Sequence, residues 1–137
     1  MADIDLGALK TQKEREFGTR GAGLTRFDED FIDAANRAIR RINRDADLDT
    51  EISEISTSEG TMDLDSAYED VVSDGISFYM MLMGRRPAKN AEPLIKSTED
   101  RFIEGIWGIA SDLRNELSVS DTDDDTYDII GLGKLGG

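Results

Sequence analysis

The chain contains no cysteine and no histidine. Without cysteine there is no disulfide framework and no thiolate chemistry, which fits a reducing compartment or a fold that needs no staples. Without histidine, the usual general base near neutral pH and the commonest metal ligand are both missing. Positive charge is scarce as well: 16 Lys and Arg stand against 30 Asp and Glu, a formal net charge of −14. That deficit argues against a general binder of nucleic acid or anionic membrane, both of which need a net basic face, and leaves only a local basic patch open. No apolar run approaches the roughly 18 residues of a membrane span. The opening MADIDLGALK lacks the charged-then-apolar layout of a secretory signal, so a cytoplasmic site of synthesis is expected.

What is present is a chain of 137 residues, 38% apolar and 34% charged, the size of one domain with a small core and ample polar surface. Charge is unevenly spread. Residues 1–44 carry nine Lys and Arg against eight Asp and Glu, whereas residues 45–137 carry seven against twenty-two.

Periodicity divides the chain into three substantial helices. In TRFDEDFIDAANRAIRRINRDADLD the apolar positions Phe27, Phe31, Ala35, Ala38 or Ile39, and Ile42 recur at three- and four-residue steps. Acids crowd the first turn and arginines the last turns, which complements the helix dipole; Thr25 is the expected N-cap. The most apolar stretch, SAYEDVVSDGISFYMMLMG, places Leu64, Tyr68, Val71, Val72, Ile76, Tyr79 and Met83 on one face, widened by Phe78, Met80 and Leu82. Gly84 and Pro87 should end it. In NAEPLIKSTEDRFIEGIWGIASDLRNELS the stripe is Ile95, Phe102, Ile106, Ile109, Leu113 and Leu117, with Asn90 as cap and Pro93 tolerated in the first turn. Gly105 and Gly108 weaken this helix and suggest close approach of a neighbour.

The expected fold is therefore mainly α: a small helical bundle with helices near 26–45, 65–84 and 91–117. A short β-hairpin or extended connector is expected over 50–64, where apolar and acidic residues alternate. Residues 1–24, with glycines at 18, 21 and 23, read as a flexible N-terminal arm with a short helix around Leu6–Phe17. Residues 25–117 form the helical domain, and residues 118–137 an acidic linker followed by an apolar tail, DTDDDTYDIIGLGKLGG at its end.

The chemistry-bearing patterns are weak. Asp121, Asp123 and Asp125 match positions one, three and five of a calcium loop, as do Asp45, Asp47 and Asp49. The sixth position is Thr126 or Thr50 instead of glycine, and the twelfth is Leu132 or Ser56 instead of glutamate, so neither builds the turn or the bidentate ligand. Thirty acids make paired carboxylates uninformative, and the glycines of GLGKLGG fit no phosphate-binding loop. No catalytic residue, metal or cofactor is expected. Arg37, Arg40, Arg41 and Arg44 are the one basic cluster; in so acidic a chain they read as ion-pair partners and as a contact between subunits. The methionine-rich stretch with Phe78 and Met80 reads first as core, and its wide apolar surface could also serve a lateral subunit contact. Tyr127, Ile129 and Leu132, alternating beside Gly131 and Gly133, suit an extended strand that adds to a partner.

Taken together, FDEDFIDAANRAIRRIN, the connector ISEISTSEGTMDLD, YEDVVSDGISFYMMLMGRRP, the long last helix and the extended tail give the chain a layout that resembles the head-to-tail connector, or adaptor, proteins of tailed bacteriophages. The resemblance covers roughly residues 25–117. It implies a mostly helical, non-catalytic virion protein, made in the host bacterial cytoplasm and assembled as a ring, commonly a dodecamer, beneath the portal at the capsid vertex. It implies that Tyr127, Ile129, Ile130, Leu132 and Leu135 dock on the portal protein, that a neck, stopper or tail-completion protein binds the other face, and that DNA passes through without specific binding. Two other readings stand beside it: a small acidic helical inhibitor or DNA mimic that binds a basic protein, and another neck or tail-completion protein of the same virion.

Overall fold

The computed structural model describes residues 3–19, 26–87 and 91–121, the side chains of 91–93 and 114–121 excepted. Its fold is mainly helical, with one small antiparallel sheet. The order is β1 (Asp3–Asp5), α1 (Leu6–Phe17), α2 (Phe27–Ala46), β2 (Thr61–Asp65), a 3-10 turn (Ser66–Tyr68), α3 (Glu69–Leu82) and α4 (Ala91–Asp121). Two compact units are formed, Met1–Trp107 and Gly108–Gly137. In the second, Ile109 and Ala110 are buried.

The N-terminal arm is a correction to the sequence reading, because most of it is folded. Its short helix lies where expected, at Leu6–Phe17. Asp5 caps α1, its Oδ1 accepting from the Ala8 N–H at 3.2 Å, and Gly18 ends it at φ 74°, donating its N–H to the Glu14 carbonyl at 2.8 Å. Leu6, Leu9, Lys13 and Phe17, spaced by three, four and four, form the buried face. Ahead of it, Ile4 of β1 is fully buried.

Of the short β-hairpin or extended connector expected over 50–64, the hairpin does not form within the segment and the connector does. Only Thr61–Asp65 forms a strand, and its partner is the N-terminal β1, with Ile4 opposite Met62, Asp5 opposite Thr61, and a bulge between Asp3 and Ile4. The preceding segment pairs with side chains instead. The Asn43 amide donates to the Ile52 carbonyl and accepts from its N–H, at 2.9 and 2.8 Å, and Asn36 does the same for Ile55 at 2.9 and 2.7 Å. Two asparagines seven residues apart on a helix lie about 10.5 Å apart along its axis. That matches the roughly 10 Å covered by three extended residues, so each carboxamide replaces one rung of a ladder.

Helix α2 has no side-chain cap at Arg26; Asp28, Glu29 and Asp30 occupy its first turn, and Asp47 closes it in the left-handed region at φ 54°. The expected cap positions Thr25 and Asn90 lie outside the described residues. The buried residues of α2 are Phe27, Asp30, Phe31, Ala34, Ala35, Ala38, Ile39, Ile42 and Ala46. Its alanines admit α3 closely: a Cβ built on Gly75 would stand 2.9 Å from the Ala38 Cβ and 2.6 Å from the Phe102 ring. Gly105 is packed as tightly, against Val71 at 2.6 Å, whereas a Cβ at Gly108 would meet nothing within 4 Å. Close approach thus accounts for the first of the two α4 glycines and not for the second.

Helix α3 ends as its sequence requires. The Gly84 N–H bonds the Met81 carbonyl at 3.0 Å and the Arg85 N–H the Met80 carbonyl at 3.1 Å, with Gly84 at φ 100°. This pair of bonds satisfies carbonyls that the helix leaves open.

Candidate functional site

The core stripe of α3 runs through Val72, Ile76 and Met80, all fully buried, with Phe78 at 6% exposure beside them. Phe78 and Met80 are therefore committed to the protomer's own interior and present no face to a neighbouring subunit, which corrects their reading as lateral contacts. Leu82, expected to widen the apolar face, is instead 54% exposed.

The arginine cluster divides in two. Arg37, Arg40 and Arg44 pair at the surface with Asp33 (3.3 Å), Glu54 (3.1 Å) and Asp45 (2.8 Å), and their own side chains remain largely open to water. Arg41 turns inward, reaching Asp45 at 3.3 Å and Glu99 on α4 at 3.4 Å, with its guanidinium 5.8 Å from the centre of the Phe102 ring. The Asp45 carboxyl, squeezed between Arg44 and Arg41, is held below the usual carboxylate range, chiefly by its hydrogen bond from Arg44. Those two arginines are its partners. Among the described residues no group of three or more acids is placed to hold a metal ion. The docking residues Tyr127, Ile129, Ile130, Leu132 and Leu135 lie outside the described residues.

Two buried cations were not legible as sites. Arg85, 2% exposed, donates to Asp30 at 2.6 Å and stacks 4.9 Å over the Phe27 ring, joining the segment after α3 to the first turn of α2. Lys13, 1% exposed, sits where the α1 stripe calls for an apolar residue. Its Nζ donates to Ser73 Oγ and Ser77 Oγ, each at 2.7 Å, and to Glu16 Oε1 at 3.2 Å. All three ammonium protons are thereby used. Burial pushes the Lys13 amine below its ordinary value, against the upward pull of Glu16. The one available signal was the spacing Leu6, Leu9, Phe17, which leaves position 13 on the buried face.

Lys13 lies in the wall of a cavity of about 500 Å³. From α3 come Asp70, Ser73, Asp74 and Ser77, spaced by three, one and three residues and so on one helical face; from α4 come Leu94, Thr98 and Arg101, spaced by four and three. The opposite face of α3 supplies the core, so the helix is apolar on one side and cavity-lining on the other. Burial pushes the Asp74 carboxyl up, only partly offset by Arg101 at 3.5 Å. Thr98, 3% exposed, accepts from Arg101 Nη2 at 3.4 Å.

Among the described residues the exposed large apolar side chains are Leu82 and Trp107, the latter 66% exposed. No described helix is long and apolar enough to cross a membrane. No protein-family model, curated protein or solved structure matches this chain.

Proposed function

We propose that this chain is a structural connector of a tailed-phage virion, joining the capsid portal to the neck as an oligomeric ring and continuing the DNA channel. The observation that carries the reading is Trp107, 66% exposed on the helix that leads into the acidic run and the apolar tail. Indole side chains are favoured at the centres of protein interfaces, and one standing in water on an otherwise charged chain is best explained by a partner that covers it. The net charge of −14 supports the same reading, since a wall of like charge keeps passing DNA from adhering. The role is mechanical and calls for no catalytic residue, metal or cofactor. In it, Arg37, Arg40 and Arg44 face the neighbouring subunit, and Tyr127, Ile129, Ile130, Leu132 and Leu135 dock on the portal.

The same charge favours a second reading, an acidic inhibitor or DNA mimic that captures a basic protein. Negative-stain imaging and mass photometry separate the two, applied to the protein alone and mixed with its candidate portal, with the full chain and a version ending at Ser120. The connector reading expects rings or portal-bound particles that disappear on truncation. Full-length protein that ignores the portal, yet is captured by a cationic host protein with or without its tail, overturns it in favour of the inhibitor.

A further inference from the structure

We propose that the cavity between α1, α3 and the start of α4 receives a lysine or arginine side chain carried on an extended segment of a partner protein. Three carboxylates line it, Glu16, Asp70 and Asp74, against two cations, Lys13 and Arg101. Glu16 is committed to Lys13. Asp70 makes no ion pair among the described residues. Among the described residues Asp74 has one ion pair, the long contact to Arg101, whose side chain is 56% exposed. Asp70 and Asp74 stand one turn apart on the same helix, an arrangement of like charges that a third cation would relieve.

The second observation concerns hydroxyl protons. Ser73 accepts from Lys13, and Thr98, only 3% exposed, accepts from Arg101, yet neither hydroxyl donates to any acceptor among the described residues. Thr98 is the buried one of the two, and a buried donor without an acceptor is unfavourable; Ser73 is half-buried. A bare cation would satisfy the carboxylates and leave these hydroxyls idle, because ammonium and guanidinium groups are donors only. A peptide answers both demands: its basic side chain meets Asp70 and Asp74 while its main-chain carbonyls accept from Ser73 and Thr98. Phe17, Met81 and Leu94 supply apolar wall for the aliphatic stem, and about 500 Å³ accommodates such a side chain with its flanking peptide groups. The pocket chemistry is independent of the connector reading, since a protein that ignores every portal can still bind a basic peptide.

The test is a titration of the isotopically labelled full chain, followed by amide chemical shifts, with the blocked pentapeptide Gly-Gly-Arg-Gly-Gly, its lysine and glutamine counterparts, and propylguanidinium as the bare cation. Saturable shifts at residues of the cavity are expected with the arginine and lysine peptides, with the glutamine peptide and propylguanidinium each about tenfold weaker or more. The double variant Asp70→Asn, Asp74→Asn should lose the preference for arginine over glutamine, and Thr98→Val should weaken the peptide while leaving propylguanidinium unchanged. Because burial already disfavours the charge on Asp74, the double variant should fold, which its own amide spectrum checks. Equal shifts from arginine and glutamine peptides, shifts located elsewhere, no shifts at the highest soluble peptide concentration, or propylguanidinium binding as tightly as the peptide would each overturn the proposal.

Discussion

Arg85 and Arg44 carry the same side chain and each bonds an aspartate, at 2.6 and 2.8 Å, yet they do different work. The Arg85 side chain is 1% exposed and that of Asp30 12%, while the Arg44 side chain is 72% exposed. A buried pair cannot lose one member without stranding the other charge away from water. A surface pair exchanges freely with water and contributes little. Arg85 and Lys13 therefore belong to the construction of the protomer, and Arg37, Arg40 and Arg44 remain available for another molecule. Charge pairing alone does not distinguish the two groups; burial does.

The sharpest way to break this division is Arg85→Ala, which removes the partner of Asp30 and the cation over Phe27. It should destabilise by about 3–5 kcal/mol, read as a shift in the urea midpoint with unchanged slope. Replacing Arg85 and Asp30 together by methionine and leucine should recover most of the loss. The glycines repeat the interior and surface contrast without any charge. Gly75→Ala and Gly105→Ala force a Cβ within 2.6 Å of Phe102 and Val71 respectively and should each cost about 1–3 kcal/mol. Gly108→Ala meets open space and should stabilise by about 0.5–1 kcal/mol.

Lys13 sharpens the comparison through pH. Its folded pKa lies below the ordinary lysine value because of burial. In the window between those two values the unfolded chain holds more protons than the folded one, so stability rises with pH across it and the penalty is full below it. Urea midpoints of the parent measured against Lys13→Met should show the parent gaining on the variant as pH rises toward the ordinary lysine value. A flat difference would place the Lys13 proton elsewhere. At the small end, Arg37→Ala, Arg40→Ala and Arg44→Ala should each change stability by no more than about 1 kcal/mol.

The sequence made the long helices legible because their signals are local and repeated. Phe27, Phe31, Ala35, Ala38 and Ile42 mark α2 within one residue of its observed ends, Phe27–Ala46, and Gly84 marks the end of α3. The sheet was hidden because β1 is three residues long, two of them aspartate, and its partner lies far along the chain; no local pattern can report such a pairing. Asn36 and Asn43 look like ordinary polar positions of an amphipathic helix, and only the tertiary approach of Ile52 and Ile55 gives them a task. Lys13 escaped notice for the opposite reason: a lysine at an apolar position reads as an interruption of the stripe, whereas Ser73, Ser77 and Glu16 make it part of the interior. For Phe78 and Met80 the wide apolar face was visible, but periodicity does not say which side of a wide face is covered within the protomer.

The division of cations is tested most directly by the triple variant Arg37→Ala, Arg40→Ala, Arg44→Ala, unfolded in urea and then weighed by mass photometry with the candidate portal. The account predicts a midpoint close to that of the parent and a loss of rings, with portal docking left to the tail. A triple variant that assembles as the parent does, or that unfolds as readily as Arg85→Ala, would contradict it.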